Sequence, residues 1–196
     1  MKILSTCLAV LCMANLTATE PESIWEAKGF YETSHPGAYH RPRYIPYFGE
    51  TVELMDESIW EVAPYDREKV KSWFGEDLFI MINHDWFSNY DYCILNLSTR
   101  DKVRVNLISG PFYQGIYTHW VVSFNDFTHE IMLENGSIWQ VSMMDFEELR
   151  NWGLENTVII GVYDGFASGY SPNILINVNR NQIGRPAYVR ARCVSY

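Results

Sequence analysis

Apolar residues recur with a period of two along most of this chain, and the same pattern is written twice. Val52 and Leu54 alternate with Thr51 and Glu53, and Ile131 and Leu133 alternate with Glu130, Met132 and Glu134. Such alternation predicts half-buried strands. Asn135-Gly136 is a two-residue hairpin signal leading into Ser137-Ile138-Trp139-Gln140-Val141, and Asp56-Glu57 stands at the same place before Ser58-Ile59-Trp60-Glu61-Val62. Trp60, Val62, Trp139 and Val141 are expected to face the core. One or two helical turns follow. Asp66 and Asp145 occupy N-cap positions, with Glu148 completing a capping box. Val70 with Trp73, and Leu149 with Trp152, are three apart and share a helix face. Gly75 and Gly153 end the turns. Leu78–Ile82 and 158–162 then read as buried strands, followed by 93–97 and 174–178. In the last strands Val103, Val105 and Leu107 point inward, as do Val189, Ala191 and Cys193, while Lys102, Arg104, Asn106, Arg190 and Arg192 point outward. A lead strand at 120–124 precedes the second set, with 43–47 as its weaker counterpart.

Ser58, Trp60, Asp66, Val70 and Trp73 match Ser137, Trp139, Asp145, Leu149 and Trp152 at one fixed offset of 79 positions. The match resumes at Asn96 against Asn177 and at Arg104 against Arg190. A fixed period through turn, strand and helix predicts a duplicated unit. The expected fold is mainly β: two tandem small β-barrel or sandwich units, each with one short helix. Residues 43–110 form the first unit and 111–196 the second, after an irregular lead-in at 19–42 that holds a third Ser23-Ile24-Trp25. Over about 51–107 and 118–194, the Ser-Ile-Trp strand, the Asp at the helix start and the second Trp resemble uncharacterised exported tandem-repeat proteins of obligate intracellular bacteria. That resemblance implies provenance and export, and carries no activity, cofactor or site residue.

The composition is 47% hydrophobic, enough to bury a core and too apolar for a disordered chain. Lys2, a short apolar stretch at 3–11 and Leu16-Thr17-Ala18 read as an export signal over 1–18, too short and interrupted to span a membrane. Localisation is therefore expected to be periplasmic, cell-envelope or secreted. The formal net charge of −9 becomes −10 once Lys2 is removed, which argues against generic nucleic-acid binding. No segment long enough to be a transmembrane helix is expected.

The candidate chemistry is sparse. His35, His40, His84, His119 and His129 form no metal-ligand spacing and read as surface histidines; no metal and no cofactor are implied. Cys93 and Cys193 stand where the other unit has Ile174 and Leu107, so both are expected to be buried, unpaired thiols. Seven basic residues crowd the last hairpins, read as paired with acids of the early strands such as Glu53 and Glu130. The loops at 83–92 and 164–172 differ from this plain pattern. They set Trp86, Phe87, Tyr90, Tyr92, Phe166 and Tyr170 among Asn, Asp, Ser and Gly, and turn chemistry does not require exposed aromatics. The expectation is a non-enzymatic interaction or structural module binding a protein or glycan through these six residues. The alternative is a small cell-envelope hydrolase with a loop-assembled site around His84 and Asp85.

Overall fold

The computed structural model describes residues 35–166 and 168–195. The expected leader at 1–18, the third Ser-Ile-Trp and most of the lead-in lie outside the described residues.

The protein is mainly β, with twelve strands and two short helices among the described residues. The first six strands are β1 (Pro42–Tyr44), β2 (Thr51–Leu54), β3 (Ile59–Val62), β4 (Leu78–Ile82), β5 (Tyr92–Asn96) and β6 (Lys102–Ser109). Helix α1 (Arg67–Val70) lies between β3 and β4. The second six are β7 (His119–Asn125), β8 (Glu130–Leu133), β9 (Ile138–Val141), β10 (Thr157–Val162), β11 (Asn173–Asn177) and β12 (Tyr188–Ser195), with α2 (Phe146–Leu149) between β9 and β10.

Neighbours run β1-β2-β3-β6-β5-β4 and then β10-β11-β12-β9-β8-β7, and β7 returns to β10 to close the second barrel. The first ring has the same order. Its closing contact is the His40–Leu78 bridge, where each backbone N–H donates to the other's carbonyl, at 3.0 and 2.8 Å. His40 lies inside the segment read as irregular lead-in. That lead-in is therefore partly structural, beginning with a 3-10 turn at Pro36–Ala38.

The rings join where β4 and β10 run parallel, with Val162 opposite Met81. Gly161 permits the approach, since a Cβ there would lie 2.5 Å from the Ile80 carbonyl oxygen. This junction explains why β4 and β10 are buried at every residue. Leu78, Ile80 and Ile82 fill the first core together with Trp60, Trp73, Val103 and Val105, and so do Ile159, Tyr163, Ile174 and Ile176 from the second unit. Conversely, Phe79, Met81 and Leu95 of the first unit pack with Trp139, Val158, Ile160 and Leu175 in the second core. Each unit's junction strands thus wall both cores.

The tryptophans expected in the core are there: Trp60, Trp73, Trp139 and Trp152 are all buried. Ser58 Oγ accepts the Trp60 indole N–H at 2.9 Å, and Ser137 Oγ accepts that of Trp139 at 2.8 Å. A buried indole left unsatisfied is costly, which gives the Ser-x-Trp spacing its physical reason.

The capping expectation fails. Neither Asp66 nor Asp145 caps its helix with its side chain. Instead Asp66 Oδ2 accepts from both the backbone N–H and Nε of Arg104, at 3.2 and 2.9 Å. Asp145 Oδ2 does the same for Arg190, at 2.8 and 2.7 Å. A carboxylate that binds a guanidinium and a strand N–H together gains more than a cap bond supplies. Arg104 and Arg190 are paired as expected, but with these aspartates; Glu53 pairs with Arg43. Cys93 is buried, whereas Cys193 is only half-buried at the end of β12, and both are free thiols. His35 and His40 are buried, contrary to the surface reading, because the lead-in packs into the junction. Among the described residues no helix is long and apolar enough to cross a membrane.

Candidate interaction site

Because β4 and β10 are parallel neighbours, paired where Met81 stands one residue from the end of β4 and Val162 ends β10, the loops that leave them emerge at the same edge. A single polar contact fastens them together. His84 Nε2 lies 2.9 Å from Asp164 Oδ1, and Lys102 Nζ lies 3.5 Å from Asp164 Oδ2. Asp164 is buried while the His84 side chain is half exposed. A carboxylate held under the surface by an imidazole and an ammonium makes a firm tie, since leaving it unpaired would carry its full desolvation cost.

The small polar residues of the first loop are consumed by its own backbone. Asn83 Oδ1 accepts from Asp85 N at 3.2 Å, and Asp85 Oδ1 accepts from Phe87 N at 3.1 Å. Ser88 Oγ accepts from Tyr90 N at 3.1 Å, and Asn83 Nδ2 donates to the Tyr90 carbonyl at 2.7 Å. From β6, Asn106 accepts from Asp91 N at 2.9 Å and donates to the Asn89 carbonyl at 3.0 Å. Asn106 is therefore buried beneath the loop, although strand alternation points it away from the barrel core. In the second loop Tyr163 N donates to the Pro172 carbonyl at 2.8 Å, and Ser168 N to that of Gly165 at 3.1 Å.

These bonds hold the loops while leaving their aromatics outside. Trp86 is 97% exposed, Phe87 98%, Phe166 95% and Tyr170 79%. Trp86 is thus no lid over the barrel. Tyr90 is half-buried, its hydroxyl pKa raised by burial and then by Glu61. Tyr92 is a correction to the expected set. It is the first residue of β5, points into the first core and is fully buried, edge-on to Trp60 at 5.5 Å. Its hydroxyl donates to Asn181 Oδ1 at 2.5 Å. Strand periodicity, carried back two residues from Ile94, assigns Tyr92 to the core.

Asp85 does not join His84, because its Oδ1 is spent on Phe87 N. Cys93 lies close enough to Lys102 and Asp164 to feel both charges, yet burial pushes its thiol up to about 11. It stays protonated near neutrality and is a poor nucleophile there.

A second concavity escaped the sequence reading. A cleft of about 360 Å³ lies at the junction of the barrels, with His40, Asp56 and His119 in its lining. A signal for it exists: His40 and His119 keep the 79-residue offset of the duplicated pattern. Each occupies the strand position opposite the start of its own unit's junction strand, Leu78 or Val158. Compared with known proteins, the chain matches no family model, no curated sequence and no solved structure. Its sites are read from their own geometry.

Proposed function

We propose that this chain is an exported, non-enzymatic interaction module that binds a protein or glycan partner through one edge built from two loops. The observation that carries the reading is the exposure of Trp86, Phe87, Phe166 and Tyr170 on loops whose backbones are otherwise hydrogen-bonded and tied by His84 and Asp164. Aromatics held outside on ordered loops lose little conformational freedom when a partner covers them, which is how such side chains become anchors. Phe87 and Tyr90 flank Trp86 in this reading, and Phe166 and Tyr170 extend the surface from the second loop. The hydrolase alternative has a half-exposed imidazole oriented by a buried carboxylate, but the neighbouring thiol is protonated and buried.

The test is capture of partners from surface extracts and binding to an immobilised glycan panel, comparing wild type with Trp86→Ala and Phe166→Ala. Truncating an aromatic anchor costs about 2 kcal/mol or more, roughly thirtyfold in affinity. Both variants should lose binding while the thermal midpoint holds, because neither side chain is buried. Undiminished binding by the double variant would sink the proposal. Exported material should have an intact mass that begins after Ala18; material that still starts at Met1 would remove the export half of it.

A further inference from the structure

The junction cleft has the size of a small-ligand site, at about 360 Å³. Its inner wall runs along Val158, Ile159 and Ile160 of β10, whose side chains are buried in the two cores, and its rim carries Tyr39, Met55 and Tyr117. Tyr117 is held at φ 61, a left-handed conformation that an aromatic side chain disfavours. Strain of this kind persists at ligand sites more often than elsewhere.

The carboxylate in the lining keeps an acceptor that the fold does not use up. Asp56 is buried, and its Oδ1 accepts from both the N–H and the hydroxyl of Ser58, at 3.0 and 2.6 Å. Its Oδ2 has His40 Nδ1 at 3.9 Å, beyond hydrogen-bond reach. The turn itself does not need a carboxylate. In the second unit Asn135 Oδ1 accepts from Ser137 N at the same 3.0 Å. The negative charge at Asp56 is therefore additional to its structural role. His119 places Nδ1 2.8 Å from Glu134 Oε1, with Nε2 turned away from that carboxylate. That Nε2 faces Gly37, 3.4 Å from where a Cβ would stand. His40 directs Nε2 to the Ile160 carbonyl at 2.7 Å. The positive group in the lining, Arg41, is already matched by Asp77 at 2.9 Å.

We propose that the junction cleft binds a small organic cation, a protonated primary amine on a short apolar body. The ammonium donates to Asp56 Oδ2, and the apolar part lies between Tyr39, Met55 and Tyr117. Tyrosine faces attract a cation, and the chain's net charge of −9 favours its approach. An anion would meet Asp56 uncompensated.

The proposal is independent of the aromatic loops, and titration of the full chain near pH 7.5 tests it, with n-pentylammonium, 1-pentanol and pentanoate as probes. The amine should bind at least tenfold more tightly than the alcohol, and pentanoate more weakly than either. Asp56→Asn keeps the turn chemistry of Asn135 and should lower amine affinity at least tenfold. Tyr117→Ala, at an exposed rim position, should weaken it severalfold, and Trp86→Ala should leave it unchanged. Preference for pentanoate, unaltered affinity in folded Asp56→Asn or in Tyr117→Ala, or no binding at millimolar amine would each overturn the assignment.

Discussion

Each buried indole of Trp60 and Trp139 needs an acceptor, and the serine two residues earlier supplies it. The motif was plain in the sequence, but the serine's task depends on the tryptophan's rotamer, which spacing does not reveal. Asp66 was misread for a related reason. Local statistics favour a cap at that position, while its real partner, Arg104, lies 38 residues away. His35 was equally illegible, since its burial comes from Trp139, whose ring lies 4.7 Å away. Burial and then the neighbouring His119 lower its pKa from 6.5 to about 4. As pH falls from 6.5 to 4 the unfolded chain takes up a proton that the folded chain refuses, so stability drops across that window and levels off below it. The full shift corresponds to about 3 kcal/mol. Asp66, whose pKa is lowered by its bonds to Arg104 and Lys69 against the cost of burial, adds a separate loss only below its ordinary value of 3.8. His35→Asn can still accept from Gly37 N as the imidazole does at 2.9 Å. Urea melts at intervals from pH 7 to 3 should show the upper step vanish in this variant and the lower one remain.

At the scale of elements, the hydrophobic pattern located strands by alternation where one face is partly exposed, as in β2, β6, β8 and β12. It marked Leu78–Ile82 and 158–162 as buried without saying what covers their second face, since a continuous apolar run does not name its partner. The answer is the other unit's core. Phe79, on a strand of the first barrel, is fully buried among Trp139, Ile160 and Leu175 of the second. Phe79→Ala should therefore cost about 3–5 kcal/mol in chemical denaturation, the range for emptying a core aromatic site. A loss within about 0.5 kcal/mol, typical of surface positions, would show that the two cores are not shared in this way. The same parallel pairing brings the two aromatic loops to one edge. The loops' composition was legible; their adjacency was not, because it depends on Met81 meeting Val162 across 81 residues of chain.

Taken whole, the molecule has two cores, and each is walled by strands of both units. Residues 1–110 contain Val52, Trp60, Ile80 and Val105 but lack Ile159, Tyr163, Ile174 and Ile176, which complete the first core. The fragment should be expanded, with weak near-ultraviolet circular dichroism and no cooperative melt, while the full chain melts in one transition. A fragment that melts sharply by itself would contradict a shared interior. The arrangement also sets an order in time. A ribosome delivers residues from the N-terminus, so the first barrel's side chains emerge well before Ile174 and Ile176. Until those two appear, the half that is made first has an open apolar side, and its sealing must await nearly the last strands of the chain. Any machinery that handles this protein during synthesis would meet it as an unfinished sheet for most of that interval, and the first unit would become native only when the second does.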